Sequence, residues 1–369
     1  MAYEKELIIN SDNFSVCINS MQINYPTLDN IITKMDFINP DDKVNVFLNI
    51  ESILRNISMV RDVERKIYMA GSELTTILSS KLINYAAHYK SFFRRNNLRT
   101  RVFLYMTDLQ SDDFPERQIN PDYRCYYLTK YTKNPKYMQL SEEMVQTIIP
   151  ITKTILDFIN DVYFVTGKNI DGSMIPYIID KDEPGWKNII VSSDKSETQY
   201  NFYDNFRSIY LKRGAGLSIL GTTLTDFIAD MTKRPKDQIT EISKLYENKG
   251  FYLLLLSVLG DKYRTVDGIS NIGLVTLTKL IQKGISENII TSSTTNVDLL
   301  SSIFDDDNKK DLVDNFSVLN IETKYQTLTK SQINDVTSQV IDRTDVSSLQ
   351  QLNAKNFYKH QLNLEALTQ

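Results

Sequence analysis

The sequence predicts an α/β protein: a parallel β-sheet with helices on both faces, followed by a helical region. Three observations predict it. Short apolar runs such as Val44–Leu48 and Val102–Met106 alternate with long amphipathic stretches through the first half of the chain. Those runs are apolar but for Asn45, rather than strictly alternating, which suits strands buried on both faces. From Thr222 onward the apolar spacing becomes helical throughout.

The elements follow in order. Residues 1–40 mix short alternating pieces such as Phe14–Ile18 and read as an N-terminal extension. Val44–Leu48 is the first strand, ended by Asn49, and Glu51–Arg61 reads as helix. Glu73–Arg95 is a long amphipathic helix closed by the basic group Arg94, Arg95 and Arg99. The second strand, Val102–Met106, stops before Asp108. Ser141–Asn160 reads as a helix with Ser141 as N-cap and Glu142 and Glu143 in its first turn. Val162–Val165 and Asn188–Val191 are the third and fourth strands, with Met174–Ile179 helical between them and Ser208–Leu211 a fifth strand. These readings divide the chain into an extension (1–40), an α/β domain (41–215), a helical hairpin region (216–300) and a helical C-terminal region (301–369).

Composition narrows the function. The chain has 369 residues, 41% of them hydrophobic and 24% charged, as expected of a globular protein. It holds no apolar run of membrane-spanning length, which predicts no membrane partner. The N-terminus lacks a signal peptide's apolar stretch, and Cys17 and Cys125 make no disulfide framework, so an intracellular location is expected. Only His88 and His360 are present, which argues against a histidine-rich zinc site or a Ser-His-Asp centre. At a net charge of −4, any contact with nucleic acid must come from a local basic patch.

Two stretches suggest such a patch. Gly260–Gly284 reads as the end of one helix, two glycine turns (Asp267-Gly268 and Asn271-Ile272-Gly273), and a second helix with Leu274, Leu277, Leu280 and Ile281 on one face, ended by Gly284. Gly268 and Gly273 would take positive φ and let the backbone approach a partner. The amides from Ile272 onward would open a helix N-terminus suited to a phosphate, extended by Lys279 and Lys283 one turn apart. In NPDYRCYYLTKYTKNPKY, Tyr123, Tyr126, Tyr127, Tyr131 and Tyr137 interleave with Arg124, Lys130, Lys133 and Lys136, a composition that stacks bases and holds phosphates.

Five segments together resemble the flap endonuclease and 5′-nuclease superfamily, which is related to PIN domains. GDKYRTVDGISNIG is similar to that family's helix–three-turn–helix element, with Gly260, Asp261, Val266, Gly268, Ile269, Ile272 and Gly273 in matching order. VFLNIESIL resembles the first strand and its turn, TGKNIDGSMIPYI the family's second acidic segment, and VSSDKSETQY the third. NPDYRCYY resembles the tyrosine-and-basic motif that enters the arch, which implies strand contacts for Tyr123 and Arg124. The resemblance covers about residues 43–284 and implies a ring of carboxylates at the strand ends holding two divalent ions.

This chain keeps only part of that ring. Asp171, Asp194 and Asp261 stand at family positions, whereas Asn49, Asn169, Gly172, Ser196 and Arg264 replace acids. Glu51 and Glu197 lie close enough in sequence to compensate in part. The resemblance with these losses implies a DNA-binding protein, on duplex or branched DNA, that lacks two-metal hydrolysis and works as a subunit of a replication, repair or transcription assembly. The alternatives are an active divergent nuclease using Mg²⁺ or Mn²⁺, and a structural protein retaining only the fold. No other cofactor is expected. Gly214-Ala215-Gly216 reads as a turn, the acidic run at Asp305–Asp307 with Asp311 as a solvated turn, and Gln351–Tyr358 as a poor match to a sliding-clamp peptide.

Overall fold

The computed structural model describes residues 37–57, 61–62, 67–68, 71–123, 125, 142–156, 160–211, 219–221 and 223–340. The readings placed on residues 1–36, on Arg124 and Lys130 with the rest of the tyrosine-rich loop, on the turn at 214–216 and on 351–358 lie outside them.

The strands are β1 (Lys43–Asn49), β2 (Arg61–Asp62), β3 (Ile67–Tyr68), β4 (Arg99–Thr107), β5 (Val162–Gly167), β6 (Lys187–Ser192), β7 (Phe206–Leu211) and β8 (Ile219–Gly221). Interleaved with them are α1 (Ile50–Ile57), α2 (Gly71–Arg95), α3 (Glu142–Leu156) and α4 (Ile175–Asp182). After the sheet come α5 (Leu224–Thr232), α6 (Lys236–Leu245), α7 (Lys249–Leu259), α8 (Leu274–Ser286), α9 (Val297–Ser301), α10 (Asp306–Leu319), α11 (Ile321–Thr327) and α12 (Lys330–Thr337).

Six strands form one sheet in the order β5-β4-β1-β6-β7-β8. The pairings from β5 through β7 are all parallel, and only β8 is antiparallel. The α/β expectation therefore holds, and each expected strand is present with one to three residues added at an end. Several boundaries move; the helix expected at Met174–Ile179, for example, runs from Ile175 to Asp182. The first helix ends at Ile57, and Arg61 pairs instead with Tyr68 in a two-residue hairpin. The sheet runs on through β8, past residue 215, because Tyr210 and Leu211 still offer an open edge there.

Both faces of the sheet are covered. Val44, Val46 and Leu48 of β1 join Val102, Leu104, Ile189 and Val191 in a core under α1, α2 and α3. Phe47, on the opposite face, packs with Phe103, Tyr105, Tyr163 and α4, and this core also takes in Ile321 of α11 and Val336 of α12. The helical region has a core of its own around α7, whose residues Phe251–Val258 are all buried. Among the described residues no helix is long and apolar enough to cross a membrane.

The strand order reverses between β1 and β6. In an open parallel sheet the crevice beyond the carboxyl ends at such a reversal is where ligands are held. Asn49 closes β1, Thr107 closes β4, and Asp171 and Asp194 follow β5 and β6.

Candidate functional site

The loop from Asp261 to Val266 delivers the central group. Its two ends are bridged by reciprocal backbone bonds, Asp261 N–H to Val266 O at 2.8 Å and Val266 N–H to Asp261 O at 2.9 Å. Thr265 takes a left-handed φ of 55° to close the turn. Gly260 before it has φ 64°, and a Cβ there would stand 2.4 Å from the Gly268 nitrogen, so this corner requires glycine. The loop turns Arg264 inward, where it is 3% exposed.

Every N–H of the Arg264 guanidinium is used. Nε donates to Asp171 Oδ2 at 2.6 Å and Nη2 to Asp171 Oδ1 at 3.1 Å. Nη1 and Nη2 donate to the two oxygens of Asp194 at 3.1 and 2.7 Å, and Nη1 also reaches Asp261 Oδ2 at 2.6 Å. The fork-shaped cation thus grips two carboxylates bidentately and a third singly. All three acids are buried. Arg264 therefore lies at the centre of Asp171, Asp194 and Asp261.

A second cation comes from α11. The Lys324 ammonium is buried and donates to Asp171 Oδ2 and, at 3.2 Å, to the Tyr123 hydroxyl, and it lies 3.7 Å from Glu116 Oε1. Tyr123 in turn donates to Asp171 Oδ2 at 2.7 Å. Burial by itself would raise the Asp171 carboxyl, but Arg264 and Lys324 together hold it well below the usual carboxylate range. Lys324 is raised above an ordinary lysine because Asp171 and Glu116 outweigh its desolvation.

Two further carboxyls border this centre. Burial pushes Glu51 up to about 8, with Asp171 adding to the rise, and Thr107 N–H donates to it at 3.3 Å. Glu197 is likewise pushed up to about 8, by burial and then by Asp194. Asn49 donates its amide to both oxygens of Glu197 at 3.1 and 3.3 Å, and Tyr105 donates to one of them at 2.8 Å. A void of about 10 Å³, bounded by Asn49, Glu51, Thr107, Asp171, Asp194 and Arg264, has space for about one water molecule.

The remaining positions of the implied ring divide. Ser196 donates through both its amide and its hydroxyl to Asp194 Oδ1, at 2.9 and 3.0 Å. Gly172 lies against the end of β4, where a Cβ would meet the Thr107 nitrogen at 2.6 Å, so an acid here needs the backbone to move. Asn169 faces away from the centre: its side-chain oxygen accepts from the amides of Asp112 and Asp113 at 3.2 and 3.3 Å. Asp108 accepts from the Gln110 amide instead of joining the cluster. Two divalent ions do not fit this donor set. Both oxygens of Asp171 and of Asp194, and Asp261 Oδ2, already accept from Arg264, and Asp171 Oδ2 also accepts from Lys324.

Several expected binding residues need correction. Tyr123 is fully buried and part of the acid network, so its ring is not offered to a nucleic-acid strand. Left-handed φ falls on Asn271 rather than on Gly268 or Gly273, the latter being extended at φ −110°. Gly268 serves close packing: a Cβ would stand 2.8 Å from the Val258 carbonyl oxygen. Gly284 does not end α8. It is buried inside the helix, where a Cβ would meet Ile303 at 2.6 Å, and α8 runs on to Ser286.

The hairpin surface itself is open. Gly273 is the N-cap of α8 without a side-chain cap, and a Cβ there would meet nothing within 4 Å. Ile272 is half-buried, and Lys279 and Lys283 are exposed; Lys283 lies 3.7 Å from Glu287, an exposed pair of little consequence.

Sequence reasoning missed Lys324 and Glu116. Lys324 sits in a short helix far from the matching segments, and nothing in IETKYQT distinguishes it from a surface lysine. Glu116 follows Pro115 in a stretch that reads as loop.

No family model matches the chain, and no curated protein matches it. Among solved structures it is similar to a bacteriophage T5 flap endonuclease in a pseudo-enzyme–product complex with DNA and metal ions, with TM-score 0.45 and 12% identity over 80% of this chain and 97% of that one. It is also similar to the T5 5′-exonuclease with zinc ions bound, with TM-score 0.42 and 11% identity over 85% of this chain and 98% of that one.

Proposed function

We propose that this chain is a DNA-binding protein built on a 5′-nuclease-like fold whose hydrolytic centre has been converted to a structural ion-pair centre. The observation that carries the reading is the Arg264 guanidinium, bonded through all its N–H groups to Asp171, Asp194 and Asp261. Two-metal hydrolysis needs those oxygens for cations that polarise a phosphodiester and activate water. Committed to a side chain, they can do neither. Binding falls to the α7–α8 hairpin, where a Cβ on Gly273 would meet no neighbour among the described residues and Lys279 and Lys283 face solvent. The contacts are to phosphates, so recognition is independent of sequence and the protein acts as a binding subunit of a nucleic-acid-processing assembly.

The test is a filter-binding titration at two salt concentrations, run beside a cleavage assay on flap and nicked DNA with Mg²⁺ and Mn²⁺. The expected result is salt-dependent binding without cleavage. Replacing Lys279 and Lys283 by Ala weakens binding to all sequences alike and lowers the salt slope by about one per lost phosphate contact. Cleavage abolished by Asp194→Ala overturns the loss of hydrolysis, and negligible binding at low salt overturns the DNA grip.

A second reading has its own observation. Val275, in the first turn of α8, is an exposed large apolar residue beside Gly273. It favours a protein-docking role for the same hairpin, in which case Gly273→Val breaks the assembly rather than DNA binding.

A further inference from the structure

Resting on the reading that the old metal centre has been converted, we infer that Arg264 and Lys324 are resident counter-cations, and that Lys324 fastens the C-terminal helices over the carboxyl edge of the sheet. Buried carboxylates must be neutralised, and a divalent ion or a hydrogen-bonded cationic side chain can each do it. Here the neutralising charges are covalently part of the chain. Arg264 serves Asp171, Asp194 and Asp261, while Lys324 serves Asp171 and Glu116.

The second cation arrives with its own docking apparatus. Gln199, just after β6, donates to the Leu319 carbonyl at 3.0 Å and accepts from the Ile321 amide at 3.0 Å, which sets the start of α11. Gln339 donates to Thr166 O and accepts from Thr166 N–H at 2.7 and 3.1 Å, and Gln332 donates to Asn169 O at 2.9 Å. The segment from Leu319 to Gln339 is thereby laid along the ends of β5 and β6. Its one buried cation points at Asp171, which also accepts from Arg264 and Tyr123. The C-terminal region is thus part of the centre rather than an appendage. Its docking depends on the same carboxylate that Arg264 grips.

The experiment uses the full chain and Mn²⁺ as probe, without DNA, so its outcome is independent of whether the hairpin binds nucleic acid. Calorimetric titration of the wild type should show no Mn²⁺ uptake at this centre, and its Tm should not change with a chelator. Arg264→Ala exposes the oxygens of Asp171, Asp194 and Asp261, a hard-donor set suited to Mn²⁺. It should bind Mn²⁺ at least tenfold more tightly than the wild type, and Asp194→Asn added to it should abolish that binding. Arg264→Gln, closer in volume, serves beside it if the alanine variant folds poorly. In Lys324→Met, amide exchange should accelerate at least tenfold more across α11 and α12 than across β1 and β4. Mn²⁺ binding by the wild type that depends on Asp194 overturns the proposal. So does failure to bind Mn²⁺ by an Arg264 variant whose amide exchange shows it folded, and so does unchanged exchange in Lys324→Met.

Discussion

A Cβ on Gly172 would stand 2.6 Å from the backbone nitrogen of Thr107, closer than side chains approach a backbone. The Gly172 amide donates to the Thr107 hydroxyl at 2.9 Å, which holds the two segments at that separation. Introducing an acid at this position therefore conflicts with the packing of β4 against the turn after β5. Gly172→Asp should destabilise the protein by roughly 1–3 kcal/mol or more through overpacking. Urea denaturation checks this, and wild-type stability would show that the turn can shift. Acids restored at Asn49, Asn169, Gly172, Ser196 and Arg264 together are accordingly expected to give a poorly folded protein rather than a nuclease.

Lys324→Met keeps the length of the side chain and removes its charge. Asp171 keeps Arg264, but Glu116 loses the only ion-pair partner it has among the described residues. Breaking a buried pair by removing one partner costs about 3–5 kcal/mol, because the other charge stays buried. The loss should appear as a lowered denaturation midpoint. The double variant with Glu116→Gln should recover part of it.

The two hairpin glycines should separate folding from binding. Gly268→Val drives a side chain against the Val258 and Leu259 carbonyls, 2.8 and 2.9 Å from the Cβ position, and should lower Tm by several degrees. Gly273→Val meets open space, so it should leave Tm nearly unchanged while reducing DNA affinity. Equal loss of stability in both would mean that Gly273 serves the fold and not a partner.

Stability should depend on pH through Glu51. Its folded value, pushed up to about 8 by burial, lies above the 4.5 of the unfolded chain. The folded state therefore binds the extra proton between those values, and this contribution is fully present below about 4.5 and lost as pH rises through 8. Denaturation midpoints measured from pH 5 to 8.5 should fall more steeply in the wild type than in Glu51→Gln. His88, lowered by burial and by Arg95, acts in the opposite sense near its ordinary value but equally in both proteins. Identical slopes would show that Glu51 is ionised in the folded protein.

The sequence alone was enough to determine the sheet and its carboxyl-edge residues. Continuous apolar runs such as VFLYM suit burial on both faces, and alternation with helices argues for parallel strands. The resemblance of five segments also implied which positions of a carboxylate ring lack acids, from Asn49 to Arg264. Tertiary structure decided what the replacements do. In one dimension Arg264 is only a departure from an acidic pattern, yet in space three carboxylates from separate segments surround it. Lys324 lies 153 residues from Asp171, and its burial follows from the docking of α11, which local periodicity does not encode. Gly268, Gly273 and Gly284 read alike as turn residues, and only the atoms around each Cβ position distinguish close packing, open surface and helix interior. Charge compensation and close packing depend on distances between segments remote in the chain, which the sequence alone does not report.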